Sequence, residues 1–288
     1  MICGSLFPDP AATRLLSAFD SGSQNRVFGI FVKMQKIGRF ERDGRQFYGS
    51  IEGQEVSEAE GGLFESSGKL SRSGKLHAIG SLKLLAPLVP PKILAVGLNY
   101  KSHLGTRPAP TNPEIFYKPV TALQHPGEPI VVPPDAQDVH FEGELVVVIG
   151  KTVRNANREE AAAAVFGVTC GNDVSDRNWQ RGPNADRQWW RAKGCDTFAP
   201  LGPWIVTGIN YGDLALETRV NGEVLQKQRT SDLIFDVPET ISFVSRFVTL
   251  TPGDLIYTGT PGNTRKMNPG DVVEVEIENI GVLRNPVK

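Results

Sequence analysis

Short apolar runs and strict alternation, both strand signals, dominate the hydrophobic pattern of this chain. The cleanest alternation sets Val273, Val275 and Ile277 against Glu274, Glu276 and Glu278, which predicts a half-buried strand with its glutamates on a wet face. Lys92 to Tyr100, Glu114 to Pro119, Gly167 to Cys170, Leu201 to Thr207, Leu216 to Leu225 and Leu255 to Thr258 read as further strands. Asp43-Gly44 and Asn221-Gly222 each lie between such runs and predict tight hairpins. Leu63-Phe64 and Leu76 to Ile79 are candidate short strands in a polar stretch. A helical period occurs twice. Asn157 with Glu160 forms a capping-box pattern that opens an Ala-rich helix through about Phe166. Asp236 with Glu239 opens a second, with Val237, Ile241, Val244 and Phe247 or Val248 on one face. Residues 178–198 have no clean period and read as a long structured loop. The sum is mostly β with α (α+β), closer to a complex roll or barrel than to a βαβ sheet.

One run breaks the pattern. Val139 to Gly150 contains Leu-Val-Val-Val-Ile, apolar on both faces, yet begins with Glu142 and Glu144. On one continuous strand these side chains share a face, about 6.5–7 Å apart along the backbone. Two unpaired carboxylates there would repel and lose hydration, so a positive partner is expected: a divalent cation, or a Lys or Arg. Asp173 follows a neighbouring strand and is the third acid, with Asp176 as its rival. An oxygen-only set suits a hard cation, Mg²⁺ or Mn²⁺, with Ca²⁺ a third candidate. Lys193 salt-bridged to Glu142 or Glu144 without any metal is the competing explanation, weakened because one lysine cannot neutralise three carboxylates.

Composition narrows the classes. With Lys+Arg 31 against Asp+Glu 32, no basic stripe points to nucleic acid. The longest apolar runs fall far short of a membrane span, so no membrane role is expected. Cys3, Cys170 and Cys195 are scattered and odd in number, which suits a reducing compartment and neither a disulfide scaffold nor a zinc site. The expected location is cytoplasmic, or the mitochondrial matrix in a eukaryote. Residues 34–85 read as a small β-rich module, and Pro87, Pro90 and Pro91 lead into the main domain, 86–288. Residues 1–33 read differently, as an N-terminal extension with a short helix at 11–19 and an apolar strand at 27–32; Met34 is an alternative start.

Five motifs then occur in order. They are Asn-Tyr-x-x-His at 99–103, Glu-x-Glu-Leu-Val-Val-Val-Ile-Gly at 142–150 and Asn-Asp-Val-Ser-x-Arg at 172–177. Lys-Gly-x-Asp-Thr-Phe-x-Pro-Leu-Gly-Pro at 193–203 and Pro-Gly-Asp-x-Ile-x-Thr-Gly-Thr-Pro at 252–261 complete the set. Together they resemble the fumarylacetoacetate hydrolase family over residues 92–288. The resemblance implies a mixed β-roll with a β-rich N-terminal part, usually a homodimer. It implies Glu142, Glu144 and Asp173 as ligands of Mg²⁺ or Mn²⁺, Lys193 beside the substrate oxygen, and His103 as general base. It implies Arg177, Gln180 and Thr260 as substrate contacts. The substrate would be a small 2-oxo or β-diketo acid. C–C hydrolysis of an acylpyruvate is the first expectation, and enol–keto tautomerisation or isomerisation, for example of oxaloacetate, the alternative. A catalytically inactive dimeric scaffold is the third.

One departure bears on that choice. Hydrolytic relatives often place a Glu three residues after the histidine, and here that residue is Thr106. Glu114 would be a substitute only if the Pro-rich loop folds back. The shortened segment Pro261 to Arg265 is a second departure, expected to open the substrate end. Trp179, Trp189, Trp190 and Trp204 are candidates for a pocket wall, a core or an interface. His77, His125 and His140 are read as surface or structural, and Cys170 and Cys195 as small buried residues.

Overall fold

The computed structural model describes residues 33–65 and 70–288, together with the backbone of Arg26–Val27 and Ile30–Phe31. The helix expected at 11–19 lies outside the described residues. The strand expected at 27–32 is instead two short pieces, Arg26–Val27 and Ile30–Phe31, paired antiparallel.

The N-terminal part is a meander of β1 (Gln35–Arg42), β2 (Arg45–Glu52), β3 (Glu55–Glu60) and β4 (Ser71–Ala78), closed by β5 (Lys83–Leu85) against β1. Asp43 and Gly44 both have positive φ, the mirror-image turn that matches strand twist. The main body adds β6 (Ile93–Gly97), β7 (Glu114–Lys118), β8 (Gly143–Ile149), β9 (Val165–Asn172), β10 (Ala199–Thr207) and β13 (Leu255–Tyr257). All of these form one sheet in the order β4-β3-β2-β1-β10-β9-β8-β13-β6-β7. The N-terminal strands thus continue the main sheet through the pairing of β1 with β10. A second sheet, β12-β11-β14-β15, contains β11 (Ala215–Val220), β12 (Glu223–Arg229), β14 (Val272–Ile277) and β15 (Gly281–Pro286).

Strand β8 explains why its sequence is apolar on both faces. Leu145, Val147 and Ile149 enter a core shared with the second sheet and with helix α4 (Val237–Ser245). Val146 and Val148 enter a core on the opposite face, with Ile37, Leu63, Leu88 and Tyr257. Each such residue contributes about 1.5–3 kcal/mol by burial, so β8 is pinned from both sides.

Helix α1 (Arg158–Ala163) has the expected capping box, with Asn157 accepting from the Glu160 N–H and Glu160 accepting from the Asn157 N–H. It ends before Phe166, which joins β9. Asp236 caps α4 as expected, and Val237, Ile241 and Val244 are buried; Phe247, beyond the helix end, is 67% exposed. Leu63-Phe64 lies in a turn rather than a strand, with Leu63 buried. The span 178–198 holds two short helices, α2 (Arg177–Gln180) and α3 (Trp190–Gly194), too brief to show a period. No helix among the described residues is long and apolar enough to cross a membrane.

The N-terminal strands contain an ion pair sensitive to acid. Glu58, 4% exposed, accepts from both Arg45 guanidinium nitrogens at 3.0 and 2.7 Å, and His77 Nε2 lies 3.0 Å away. The Arg45 bonds outweigh burial and hold the carboxyl down at about 2. A carboxylate depressed on folding stabilises above its unfolded value and loses that contribution as pH falls through the folded one. The Tm difference between wild type and Glu58→Gln is therefore expected to be constant above pH 4.5 and to shrink toward pH 2. A pH-independent difference in scanning calorimetry contradicts this.

Candidate active site

The expected continuous strand at 139–150 is broken. Val139–His140 pairs with Ser175–Asp176, β8 starts at Gly143, and Phe141 and Glu142 lie between. In that break the Glu142 N–H donates to Asn172 Oδ1 at 2.9 Å, and the Glu142 carbonyl accepts from the Asp173 N–H at 2.8 Å. Backbone and Asn172 side chain thereby hold Glu142 beside Asp173. Glu144 follows on β8, on the face of Val146 and Val148. Gly143 between them has no room for a side chain, because a Cβ would meet Thr218 Oγ1 at 2.0 Å.

Glu142, Glu144 and Asp173 are 4%, 1% and 1% exposed. One oxygen from each lies within 4.8 Å of the others. Such a buried oxygen-only triad could bind a metal ion. Asp176 takes no part: its carboxylate caps α2 through the Trp179 N–H and accepts from the Gln137 and Asp138 N–H groups.

The cations around the triad are more numerous than expected. Lys193 Nζ bonds Glu142 at 2.7 Å and Asp173 at 2.5 Å. Arg177 pairs with the other Glu142 oxygen at 2.5 Å, and Lys118 with the other Asp173 oxygen at 2.5 Å. Three basic groups therefore face three acids, which overturns the premise that a lone lysine serves the cluster. The pairing is uneven, however. Glu144 accepts from the Gly259 N–H at 2.7 Å and has no Lys or Arg within salt-bridge distance among the described residues. Burial and the neighbouring Asp173 and Glu142 push its carboxyl well above the usual range. Burial acts against charge on Glu142 too, but Arg177 and Lys193 outweigh it and hold that carboxyl well below. The missing charge is thus at Glu144, where a cation would meet all three ligands, so the residues fit a divalent ion.

Lys118 was not singled out from the sequence, where it reads only as the end of a strand before Pro119. Its ammonium is fully buried and also reaches the backbone carbonyls of Lys193 and Val174. The signal was a lysine closing an apolar run.

A cavity of about 150 Å³ opens beside the triad. His103, Glu142, Gln180, Lys193 and Thr260 line it, with Phe116 and Trp189 as an apolar wall. Arg177 is not among the lining residues; its guanidinium is taken up by Glu142, Gln180 Oε1 and Thr264 Oγ1. Trp179 is buried, Trp190 is exposed, and Trp204 Nε1 donates to the Ile280 carbonyl.

The Thr258-Gly259-Thr260-Pro261-Gly262 turn ties the parts together. Gly259, at φ +105°, supplies the N–H to Glu144, and a Cβ there would meet Asn99 Cβ at 2.7 Å. Thr260 Oγ1 donates to the Gly143 carbonyl at 2.9 Å and accepts from Gln226 Nε2. The Gly262 carbonyl lies 2.6 Å from His103 Nδ1. That bond makes Nδ1 the protonated nitrogen and leaves Nε2 as acceptor. Burial lowers the pKa of His103, with Glu142 opposing, so the neutral form prevails at neutral pH. Thr106 is exposed, and Glu114 lines the same cavity as His103.

The other described histidines and cysteines make contacts away from the triad. His125 accepts from the Ala86 N–H, and His140 bridges Asp138 and Thr264. Cys170 and Cys195 are free, with burial raising both thiols.

Residues 92–288 match the model of the fumarylacetoacetate hydrolase C-terminal domain. The chain belongs to the fumarylacetoacetate hydrolase family. Residues 35–87 match the Rv2993c-like N-terminal model. A mitochondrial oxaloacetate tautomerase of Bos taurus is 44% identical over 216 residues, 70% of this chain and 68% of that protein. Among solved structures of the family, 2-hydroxyhepta-2,4-diene-1,7-dioate isomerase from Mycobacterium marinum is 41% identical. It superposes with a TM-score of 0.80 over 88% of this chain and 98% of its own. Maleylpyruvate hydrolase from Sphingobium sp. SYK-6, in complex with manganese(II) and pyruvate, is 29% identical with a TM-score of 0.71 over the same shares. The family fold thus holds tautomerase, isomerase and hydrolase relatives of this chain.

Proposed function

We propose that this chain is a divalent-metal-dependent tautomerase or isomerase of small 2-oxo acids, oxaloacetate among them. The observation that carries the reading is the partner of His103. Its Nδ1 bonds a backbone carbonyl instead of a carboxylate, which orients Nε2 but supplies no charge to activate a water. Proton transfer to and from carbon needs only the oriented base. This reverses the order expected from the sequence, where C–C hydrolysis came first.

Glu142, Glu144 and Asp173 would hold Mg²⁺ or Mn²⁺, which supplies Lewis acidity toward the 2-oxo group when bound. His103 Nε2 takes the proton from C3 of the substrate. Lys193, fixed by Glu142 and Asp173, places its ammonium beside the oxygen on which negative charge develops. His103 then returns the proton to the enolate oxygen, so the C3–H bond is exchanged for an O–H bond, the substrate leaves as its tautomer, and no C–C or C–O bond is cleaved. Gln180 and Thr260 line the cavity and orient the acid, while Arg177 acts from behind, holding Glu142. C–C hydrolysis stays as the second reading, favoured by Glu114 at the same cavity and by the maleylpyruvate hydrolase relative. A homodimer in the cytoplasm or mitochondrial matrix is the expected setting.

Oxaloacetate and an acylpyruvate, each with Mg²⁺ in deuterated buffer, separate the readings by NMR. Exchange at C3 without cleavage supports the tautomerase; pyruvate and a second acid from the acylpyruvate make it a hydrolase. His103→Gln is expected to slow the exchange by about 10²–10⁴-fold. In the wild type the rate should fall on acidification through a pKa below 6.5, because burial depresses the base and only its neutral form accepts. An acid limb above that value removes His103 from the role.

A further inference from the structure

The cavity that holds His103 and Lys193 is also lined by two arginines with no assigned part, Arg107 and Arg181. Every other basic side chain at or beside the triad is consumed: Lys118, Lys193 and Arg177 each pair with an acid. Arg107 and Arg181 form no salt bridge among the described residues, and both are exposed at the cavity mouth. Arg107 is anchored by its Nε, which donates to the Leu104 carbonyl at 3.2 Å, and its terminal nitrogens have no partner among the described residues. Arg181 is the extended residue that follows Gln180 at the end of α2, and both line the cavity. Glu114 also lines the cavity, but one carboxylate against two guanidinium groups leaves a surplus positive charge.

We propose that Arg107 and Arg181 form an anion subsite at the cavity mouth that receives a second carboxylate of the substrate, making dicarboxylic 2-oxo acids the preferred class. This rests on the 2-oxo acid reading of the same site. The inner end of such an acid reaches the triad and Lys193, and its far end reaches the mouth. Guanidinium forks suit a carboxylate there because they offer paired N–H donors in one plane. Burial and then repulsion from Arg177 and Arg107 lower the pKa of Arg181, with Glu142 opposing. Neither residue belongs to the five motifs, and Arg107 sits next to Thr106, where the usual acid is absent. The same loop thus lacks that acid and carries a basic group one residue further on.

The test compares two stable acids of similar length, 2-oxoglutarate and 2-oxopentanoate, by calorimetric titration of the full chain loaded with Mn²⁺. The wild type is expected to bind the dicarboxylate at least about tenfold more tightly, the scale of a charge-assisted hydrogen bond at a partly exposed site. Arg107→Gln and Arg181→Gln should each cut that preference several-fold, and the double variant should abolish it. A preference that survives the double variant overturns the subsite, as does a loss that is equal for both acids. If the wild type binds neither acid, the 2-oxo acid site itself fails and takes the subsite with it. Binding of 2-oxopentanoate by each variant reports that the fold and inner site are intact.

Discussion

Glu144→Gln is expected to abolish metal binding and leave the metal-free protein at least as stable as the wild type. Glu144 is buried, has no Lys or Arg partner among the described residues, and is repelled by Asp173 and Glu142. An amide keeps an acceptor for the Gly259 N–H and removes the need to bury charge. With metal the comparison inverts. Wild type at a hundredfold excess of Mn²⁺ over its dissociation constant gains about 2.7 kcal/mol, whereas the variant gains none. Turnover should fall by about 10²–10³-fold or more. Thermal unfolding across a Mn²⁺ titration checks both halves, and an equal upward shift in the two proteins would remove Glu144 from the ligand set.

Lys118→Met should have the largest cost in stability of any change near the site. The methionine fills the space but leaves one Asp173 oxygen and the Lys193 carbonyl without a donor in a dry environment. Breaking a buried pair on one side costs about 3–5 kcal/mol. Catalysis should suffer as well, because Lys118 grips the backbone of Lys193, whose side chain lines the cavity. Urea unfolding gives the first number, and steady-state rates at a temperature where the variant stays folded give the second. A loss below about 1 kcal/mol would mean that Lys193 alone suffices for Asp173.

What could be read from the sequence divides along physical lines. The acids of the triad were legible because carboxylates on an apolar run demand an explanation, and a fixed order of motifs supplied one. The capped helices and the two hairpins were legible because capping and turn chemistry are local. Lys118 was not, since its partners are 55 and 75 residues away and only the antiparallel pairing of β6 with β7 brings its strand into the sheet beside them. The break at Phe141–Glu142 was hidden for a related reason. An apolar run states that residues are buried, but not that Asn172 will replace a strand partner for one backbone N–H. Helices α2 and α3, of four and five residues, are shorter than the window in which a period can be recognised.

The turn from Gly259 to Gly262 holds Glu144 at one end and His103 at the other. It fixes the spacing between Glu144 and His103, the proposed ligand and the proposed base. A change in this turn would displace ligand and base together, so neither could be retuned alone by altering it. Diversification of substrate within such a scaffold is therefore confined to side chains that the turn does not hold, at the rim of the cavity, where one residue can change without disturbing the distance on which the chemistry depends.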